Sequence, residues 1–325
     1  MTRAKKNLPQ LSDNLFLTDG GIETTLLFNE GLNLPYFAAF DLLKNALGYE
    51  ALHKYFRTYA QLAQKYEVGL ILESPTWRAS QDWGDKLGYS TAEIAAFNRK
   101  AIELLQDIRD EYENDKTQMV ISGCIGPKGD GYNPAELMSE ASAERYHSAQ
   151  IETFYSTQAD IVTAITMTYV EEAIGISRAA SSANIPVVIS FTVETDGRLP
   201  TGQPLKNAIE QVDDATNGAP IYYMINCAHP THFDSVLPSD EAWLERIRGI
   251  RANASIRSHA ELDEAEELDD GNPVELASQY RQLKSQLPSL NVLGGCCGTD
   301  HRHVEEICQV CLPLFFTAPT FSSHL

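Results

Sequence analysis

Two adjacent cysteines near the C-terminus stand between glycines, in Gly294-Gly295-Cys296-Cys297-Gly298-Thr299, directly after the apolar run 290–293. Neighbouring side chains on a regular strand face opposite ways, whereas flanking glycines allow positive φ and a turn that brings both sulfurs to one place. A third cysteine, Cys227, closes the apolar run 221–226. Three thiolates suit Zn²⁺, and three protein ligands leave one position open, as in catalytic zinc sites. The pattern therefore predicts an open Zn²⁺ site held by Cys227, Cys296 and Cys297.

The other cysteines fit the core better than a metal site. Cys308 and Cys311 form a Cys-x-x-Cys pair, but they lie on the apolar face of a predicted final helix beside Val304 and Ile307. Cys124 follows a predicted strand, where it either lines a pocket or packs, and packing is the commoner use of a buried cysteine. We assign all three to packing.

The elements that must position the reactive residues repeat along the chain as a short apolar run followed by an amphipathic helix. Eight runs predict strands, of which the seventh is the weakest: Leu15–Thr18, Gly69–Leu72, Met119–Ser122, Asp160–Thr166, Pro186–Phe191, Ile221–Asn226, Gly249–Ala252 and Leu290–Leu293. Nearly all-apolar strands alternating with helices indicate a parallel sheet covered by helices. Eight such units favour closure, so the predicted fold class is α/β, a (β/α)8 TIM barrel, with residues 1–325 as a single domain.

Helix boundaries carry recognisable signals. Ser90 and Glu93 form a capping-box pattern ahead of an apolar helical repeat. Asn272 and Pro273 have the order of an N-cap and a first helical residue. The acidic segment around 259–272, most concentrated over 261–270, follows the seventh strand and is expected as a solvated loop or short helix on the rim of the barrel mouth.

Reactive groups in such a barrel gather at the C-terminal ends of the strands. Asp19 ends the first strand, where it serves either as a turn residue before Gly20 and Gly21 or as an anchor for a substrate ammonium group. The amides of Gly20 and Gly21 would then bind a carboxylate. Trp77 either packs in its loop or stabilises an onium methyl group by a cation–π interaction.

Composition limits the partners. With 45 acidic and 25 basic residues the formal net charge is −20, which disfavours nucleic acid and anionic membrane surfaces as partners. No apolar run approaches the ~18 residues of a membrane span, and the N-terminus lacks the apolar stretch of a secretory signal. We therefore expect a cytoplasmic protein in which the six cysteines remain free thiols.

The chain resembles the homocysteine S-methyltransferase family, which includes S-methylmethionine-dependent and betaine-dependent enzymes. The resemblance extends over residues 19–299 through these stretches: Asp19-Gly20-Gly21-Ile22-Glu23-Thr24, Thr76-Trp77-Arg78-Ala79-Ser80, Ile125-Gly126-Pro127, Ser190-Phe191-Thr192, Ile225-Asn226-Cys227 and Gly294 through Thr299. It implies a zinc-containing barrel that moves a methyl group onto homocysteine sulfur to give methionine. It further implies that Cys227, Cys296 and Cys297 hold Zn²⁺ and that Asp19 with Gly20 contacts the amino acid.

Two positions depart from the family pattern. The end of the fourth strand reads Ala164-Ile165-Thr166-Met167-Thr168-Tyr169, without the usual glutamate that helps to bind the homocysteine amine. Thr166 or Thr168 offers a hydroxyl instead, which binds an ammonium group less strongly than a carboxylate does. Trp77 stands where tyrosine is more frequent. We expect Thr166 and Asn226 to join Asp19, Gly20, Gly21 and Trp77 as substrate contacts.

The sequence thus predicts a methyltransferase that takes a small-molecule thiol acceptor, homocysteine, and a sulfonium donor such as S-methylmethionine or S-adenosylmethionine. Another small thiol or selenol is the nearest alternative acceptor. A zinc hydrolase and a non-catalytic barrel with structural zinc are alternatives of another class. The structural-zinc alternative needs a fourth protein ligand, for which His229 and His301 are the candidates.

Overall fold

Eight parallel strands close into a barrel in sequential order, β1 to β8. The computed structural model describes residues 8–132, 137–238, 241–265 and 267–316, so the ends of the predicted 1–325 domain lie outside the described residues. The strands are β1 (Phe16–Leu17), β2 (Gly69–Glu73), β3 (Met119–Ile125), β4 (Ile161–Met167), β5 (Val187–Phe191), β6 (Pro220–Asn226), β7 (Ile247–Ala252) and β8 (Val292–Gly295). The pairing of Phe16 with Val292 closes the barrel, and the predicted (β/α)8 barrel is confirmed.

Helices surround the sheet. They are α1 (Ile22–Thr24), α2 (Ala46–Tyr66), α3 (Gln81–Leu87), α4 (Thr91–Tyr112), α5 (Glu140–Tyr155), α6 (Val170–Ala183), α7 (Leu205–Thr216), α8 (His259–Asp263), α9 (Pro273–Gln286) and α10 (His301–Cys311). The predicted capping box begins α4, where the Ser90 side chain accepts from the amide of Glu93. The side chain of Asn272 likewise caps α9. Among the described residues no helix combines the length and apolar character that a membrane crossing needs.

The core has two parts. A large cluster fills the space between the outer face of the sheet and the helices, and it includes Cys308 and Cys311, which confirms their assignment to packing. A smaller cluster fills the lower barrel interior: Phe16, Ile71, Val120, Ile161, Val188, Tyr222, Met224 and Val292. Because side chains alternate along a strand, the next inward residues lie two positions nearer the C-terminal end.

The residues of this next layer are polar or charged, in contrast to the apolar residues of the layer below, except for one glycine. They are Thr18, Glu73, Ser122, Thr163, Ser190, Asn226, Arg251 and Gly294. The seven with side chains are all buried and polar or charged. Neighbouring members contact one another, since the hydroxyls of Ser122 and Thr163 lie 2.7 Å apart and Ser190 donates to Asn226 at 2.6 Å. We call these seven residues the polar layer. It forms a hydrophilic floor beneath the barrel mouth.

Candidate active site and metal centre

A cavity of about 550 Å³ opens above the polar layer, at the C-terminal ends of the strands. Its walls include eight of the nine predicted metal and substrate residues: Asp19, Gly20, Gly21, Trp77, Thr166, Cys227, Cys296 and Cys297. Asn226 lies below, in the polar layer, and reaches the others through hydrogen bonds. The tertiary structure therefore brings the predicted residues into one place, from segments as far apart as positions 19 and 297.

The three cysteine sulfurs that the sequence predicts as metal ligands lie close together. The Sγ atoms of Cys227, Cys296 and Cys297 all lie within 4.8 Å of one another. Within the described ranges, no histidine, carboxylate or further cysteine joins them as a fourth ligand. His229 bonds to Thr231 through Nδ1, and His301 is exposed at the start of α10. The donor set is thus three sulfurs with one side open to the cavity.

Cys227 and Cys296 are joined as a disulfide, with Cα atoms 5.4 Å apart, whereas Cys297 is a free thiol. The expectation that all six cysteines are free is therefore wrong for this pair. The physical reason is their convergence, because the turn after β8 and the end of β6 bring the two sulfurs into contact. Metal ligation by all three residues requires the pair to be reduced, since a disulfide sulfur is no longer a thiolate.

The glycines beside the double cysteine act differently from the expectation. Gly298 has φ +79°, as predicted, but Gly294 and Gly295 do not have positive φ. A Cβ on Gly294 would collide with the hydroxyl of Thr18, and one on Gly295 with the hydroxyl of Thr299. These two glycines are required for close approach of neighbouring segments and not for a left-handed backbone.

The left-handed backbone instead occurs at Cys227 itself, with φ +53°, and at Thr166, with φ +66°. A non-glycine residue in this region costs of order 1–3 kcal/mol and persists only when its surroundings hold it. Asn253 donates to the Cys227 carbonyl at 3.0 Å, and the Nε2–H of His259 donates to the same oxygen. Two donors on one carbonyl fix the direction in which Cys227 points its sulfur.

Asn226 holds Thr166 in its left-handed conformation through two hydrogen bonds. Its Oδ1 accepts from the Thr166 amide at 3.0 Å, and its Nδ2 donates to the Thr166 hydroxyl at 2.9 Å. The Thr166 hydroxyl lies 3.8 Å from the sulfur of Cys227, and Nδ2 of Asn226 lies 4.0 Å from that of Cys296. Both residues thus support the cysteine cluster from below.

Asp19 is buried, and its carboxylate is already engaged. Arg251 donates to Oδ1 at 2.6 Å, and the hydroxyl of Tyr55 donates to Oδ2 at 3.0 Å. Burial raises the pKa of Asp19, and the positive charge of Arg251 opposes that shift. The Gly21 amide already donates to the Thr299 carbonyl at 3.0 Å. The contact of Gly20 and Gly21 with a substrate carboxylate stays a prediction.

Trp77 lies in the cavity wall, where its indole Nε1 donates to the Ile165 carbonyl at 3.2 Å. The guanidinium of Arg78 lies 4.4 Å from the Trp77 ring centroid and 3.6 Å from that of Trp83. The aromatic surface predicted for an onium group is therefore shared with a cation that the protein itself supplies.

Several cavity residues escaped the sequence interpretation: Glu23, Glu73, Arg78, Tyr132 and Arg251. Burial raises the pKa of both Glu23 and Glu73 to about 7. The Tyr132 ring stacks on His259 with centroids 4.0 Å apart, and its hydroxyl lies 3.5 Å from the Cys297 sulfur. A charged residue directly after an all-apolar run, as in Gly69-Leu70-Ile71-Leu72-Glu73, was the available signal for Glu73.

The acidic segment lies over the mouth, as expected for a rim. It begins with the short helix α8, and Leu262, Ala265, Glu267, Leu268 and Asp269 line the cavity. Its apolar members face the same space as its acidic ones.

Cys124 also lines the cavity while being buried, so both of its alternative roles apply.

Comparison with known proteins agrees with this geometry. Residues 16–311 match the profile of the homocysteine S-methyltransferase family. This chain belongs to that family. Betaine–homocysteine S-methyltransferase 1 of Rattus norvegicus is 23% identical over 274 residues, a match that covers 78% of this chain and 64% of the relative. The chain thus matches slightly less than two thirds of that protein's length.

Solved structures show the same fold. The homocysteine methyltransferase MmuM from Escherichia coli, in its oxidized form, superposes with a TM-score of 0.73 at 18% identity, covering 94% of this chain and 99% of that one. The metallated form of the same protein gives a TM-score of 0.72 at 18% identity, with 93% and 98% covered. At this level of identity the likeness concerns the barrel fold.

Proposed function

We propose that this protein transfers a methyl group from a sulfonium donor to the thiol of homocysteine, giving methionine, with Zn²⁺ held by Cys227, Cys296 and Cys297. The observation that carries the proposal is the convergence of three cysteine sulfurs within 4.8 Å at the barrel mouth. Family membership supports methyl transfer to homocysteine. The identity of the metal, the donor and the product goes beyond family membership and is part of this proposal.

The residues present fit zinc. Sulfur ligands are preferred by Zn²⁺, and a three-ligand set leaves room for one exogenous ligand, as catalytic sites require. Zinc, when bound, holds an acceptor thiol as the thiolate at neutral pH, which is the nucleophilic form. The described residues supply no carboxylate or histidine ligand of the kind that hydrolytic zinc sites use. That donor set argues against the hydrolase alternative.

The chain's own residues orient the reactants. Asn226, Asn253 and His259 hold the backbone and side chains around Cys227, as described above. A fixed acceptor sulfur facing a bound donor methyl group supplies a large share of the acceleration in a displacement reaction, because the entropy cost of alignment is met on binding.

The charge of the cavity favours a cationic donor. Its walls carry six carboxyl side chains, Asp19, Glu23, Glu73, Asp130, Glu267 and Asp269, against the two guanidinium groups of Arg78 and Arg251. Such an excess of acidic groups in a cleft attracts cations. A sulfonium such as S-methylmethionine or S-adenosylmethionine meets this requirement.

A defined experiment tests the proposal. Reduced, zinc-loaded protein is incubated with homocysteine and each donor, and methionine is quantified. We expect about one zinc per chain, lost in Cys297→Ser and retained in Cys308→Ser, a matched change of a buried core cysteine. Zinc-free protein that is fully active would overturn the metal assignment.

The second candidate is the same reaction on another small thiol or selenol. The end of β4 favours this candidate. The stretch 164–169 lacks a carboxylate, and Thr166 is already hydrogen-bonded to Asn226. Turnover of such an acceptor, with none of homocysteine, is the result that would select it.

A further inference from the structure

We propose that Glu73 and Arg251 bind the amino-acid end of the acceptor, with Glu73 taking the ammonium group and Arg251 the carboxylate. The inference rests on the proposed function, since it concerns the acceptor of that reaction. The end of β4 lacks the carboxylate that usually helps to bind the amino group of the acceptor. In this proposal two charged residues of the polar layer bind the amino-acid end instead. The acceptor class that follows is a thiol bearing a zwitterionic α-amino acid.

Placement is the first support. Glu73 ends β2 and Arg251 lies near the end of β7, and both point inward within the polar layer. Both line the cavity that Cys227, Cys296 and Cys297 also line. An acceptor whose sulfur lies at the cysteines therefore extends its other end into the space that these two residues border.

Glu73 carries an unsatisfied carboxylate oxygen. The residue is 5% exposed, and Oε2 has no hydrogen-bond partner among the residues that the structure describes. Burial raises the pKa of Glu73 to about 7, although the charge of Arg251 and, more weakly, the hydroxyls of Ser122 and Thr163 favour its charged form. A buried carboxylate without a cation is costly, so an arriving ammonium group gains a strong partner here.

Arg251 carries the complementary unsatisfied donor. Its Nη2 donates to Asp19 and its Nε to the Gly295 carbonyl at 3.0 Å. Its Nη1, in contrast, is buried with no partner in the described part of the chain. A guanidinium presents donors in a planar fork that matches a carboxylate. Asp19 and the Gly20 carbonyl, which accepts from Nη2 at 3.2 Å, thus fix the orientation of Arg251 and leave the two N–H donors of Nη1 for a carboxylate.

The two residues do not satisfy each other. Each influences the charge of the other through space, yet within the described residues the ion pairs of Arg251 include Asp19 and not Glu73. A negative charge on Glu73 and a positive charge on Arg251 that do not pair with each other suit a zwitterion, because its ammonium and its carboxylate can both find partners. A thiol that lacks either charge leaves one buried charged group without a partner and should therefore bind more weakly.

Truncated acceptors test the assignment. Homocysteine is compared with 4-mercaptobutanoate, which lacks the ammonium group, and 3-aminopropane-1-thiol, which lacks the carboxylate. Calorimetric binding to the reduced, zinc-loaded protein and kcat/KM for methyl transfer are both measured. Wild-type protein should prefer homocysteine by about 10- to 100-fold over each analogue.

The variants separate the two contacts. Glu73→Gln should lose most of the preference over 4-mercaptobutanoate and keep the preference over 3-aminopropane-1-thiol. Arg251→Gln should do the reverse, and Arg251→Lys should restore part of the carboxylate preference while keeping the ion pair with Asp19. The loss should fall on KM and on binding more than on kcat.

The matched control is Asp160→Asn, which changes another buried carboxylate at the opposite end of the barrel, where Asp160, unlike Glu73, forms an ion pair, with Arg109 at 2.6 Å. Its acceptor preference should equal that of the wild type. If Glu73→Gln gives the same preference as this control, or if wild-type protein binds the truncated thiols as tightly as homocysteine, the inference is wrong. Tight, selective binding of homocysteine without methyl transfer from any donor would instead refute the proposed function and leave the binding assignment standing.

Discussion

The two layers inside the barrel differ in character although the same strands build them. The lower layer is built from apolar and aromatic side chains, such as Phe16, Ile71 and Met224. Two residues further along these strands stand Thr18, Glu73 and Asn226, all buried and polar. The lower layer therefore stabilises the barrel through apolar packing. The polar layer contributes less to stability and forms the bottom of the cavity in which the reaction would take place.

The comparison predicts that changes above the polar layer affect function far more than folding. Cys227→Ser should remove bound zinc and lower methyl transfer by more than about 100-fold, because even residues behind the ligands account for 10- to 100-fold in metal affinity. Metal analysis and kcat/KM check this expectation. The thermal midpoint should change little, and a global loss of fold would contradict the division between layers.

The lower layer should respond in the opposite way. Phe16→Ala removes a ring packed against Gly69 and should lower the free energy of unfolding by about 3–5 kcal/mol. Urea denaturation measures the change, and the fraction that stays folded should retain the wild-type KM for homocysteine. A raised KM at unchanged stability would show that the lower layer shapes the site directly.

The cost in stability of burying Glu73 in the polar layer should be measurable as a pH dependence of the free energy of unfolding. The pKa of Glu73 in the folded chain is about 7, above its ordinary value of 4.5. Between these values the folded state binds more protons than the unfolded state, so wild-type stability falls as pH rises. Glu73→Gln lacks this loss, and its stability relative to wild type should rise by up to about 1.4 kcal/mol per pH unit in that window.

Urea denaturation of both proteins from pH 4.5 to 8 measures the difference. It should level off above pH 7, where Glu73 is ionised in both states. A relative stability of Glu73→Gln that falls as pH rises would mean that Arg251 already satisfies the carboxylate. The assignment of Glu73 to the acceptor ammonium group would then be wrong.

The smallest expected effect lies outside both layers. Ser90→Ala removes the capping box of α4 and should cost about 1 kcal/mol of stability. Since α4 packs on the outer face of the sheet, the acceptor preference should not change. Comparison of its KM with that of Glu73→Gln distinguishes a general loss of stability from a specific loss of binding.

Much of the fold was available from the sequence because its signals are local. Each of the eight apolar runs became a strand within a few residues of its predicted bounds, and the caps at Ser90 and Asn272 begin the predicted helices. The cysteine cluster was also predictable, because the barrel rule places strand ends together whatever their distance in sequence. The predicted strand over residues 69–72 stopped one residue before Glu73, since a lone carboxylate after an apolar run resembles the start of a loop.

The sequence by itself therefore determined the barrel, the family and the three sulfurs, all of which depend on periodicity and on residue types at strand ends. Only the tertiary structure decided which charges meet inside the barrel. Arg251, on β7, forms an ion pair with Asp19, which follows β1. Glu73, on β2, keeps one carboxylate oxygen without a hydrogen bond in the described part of the chain. Pairing of this kind depends on side-chain directions and distances across a closed barrel. Neither quantity is encoded in any local stretch of the chain.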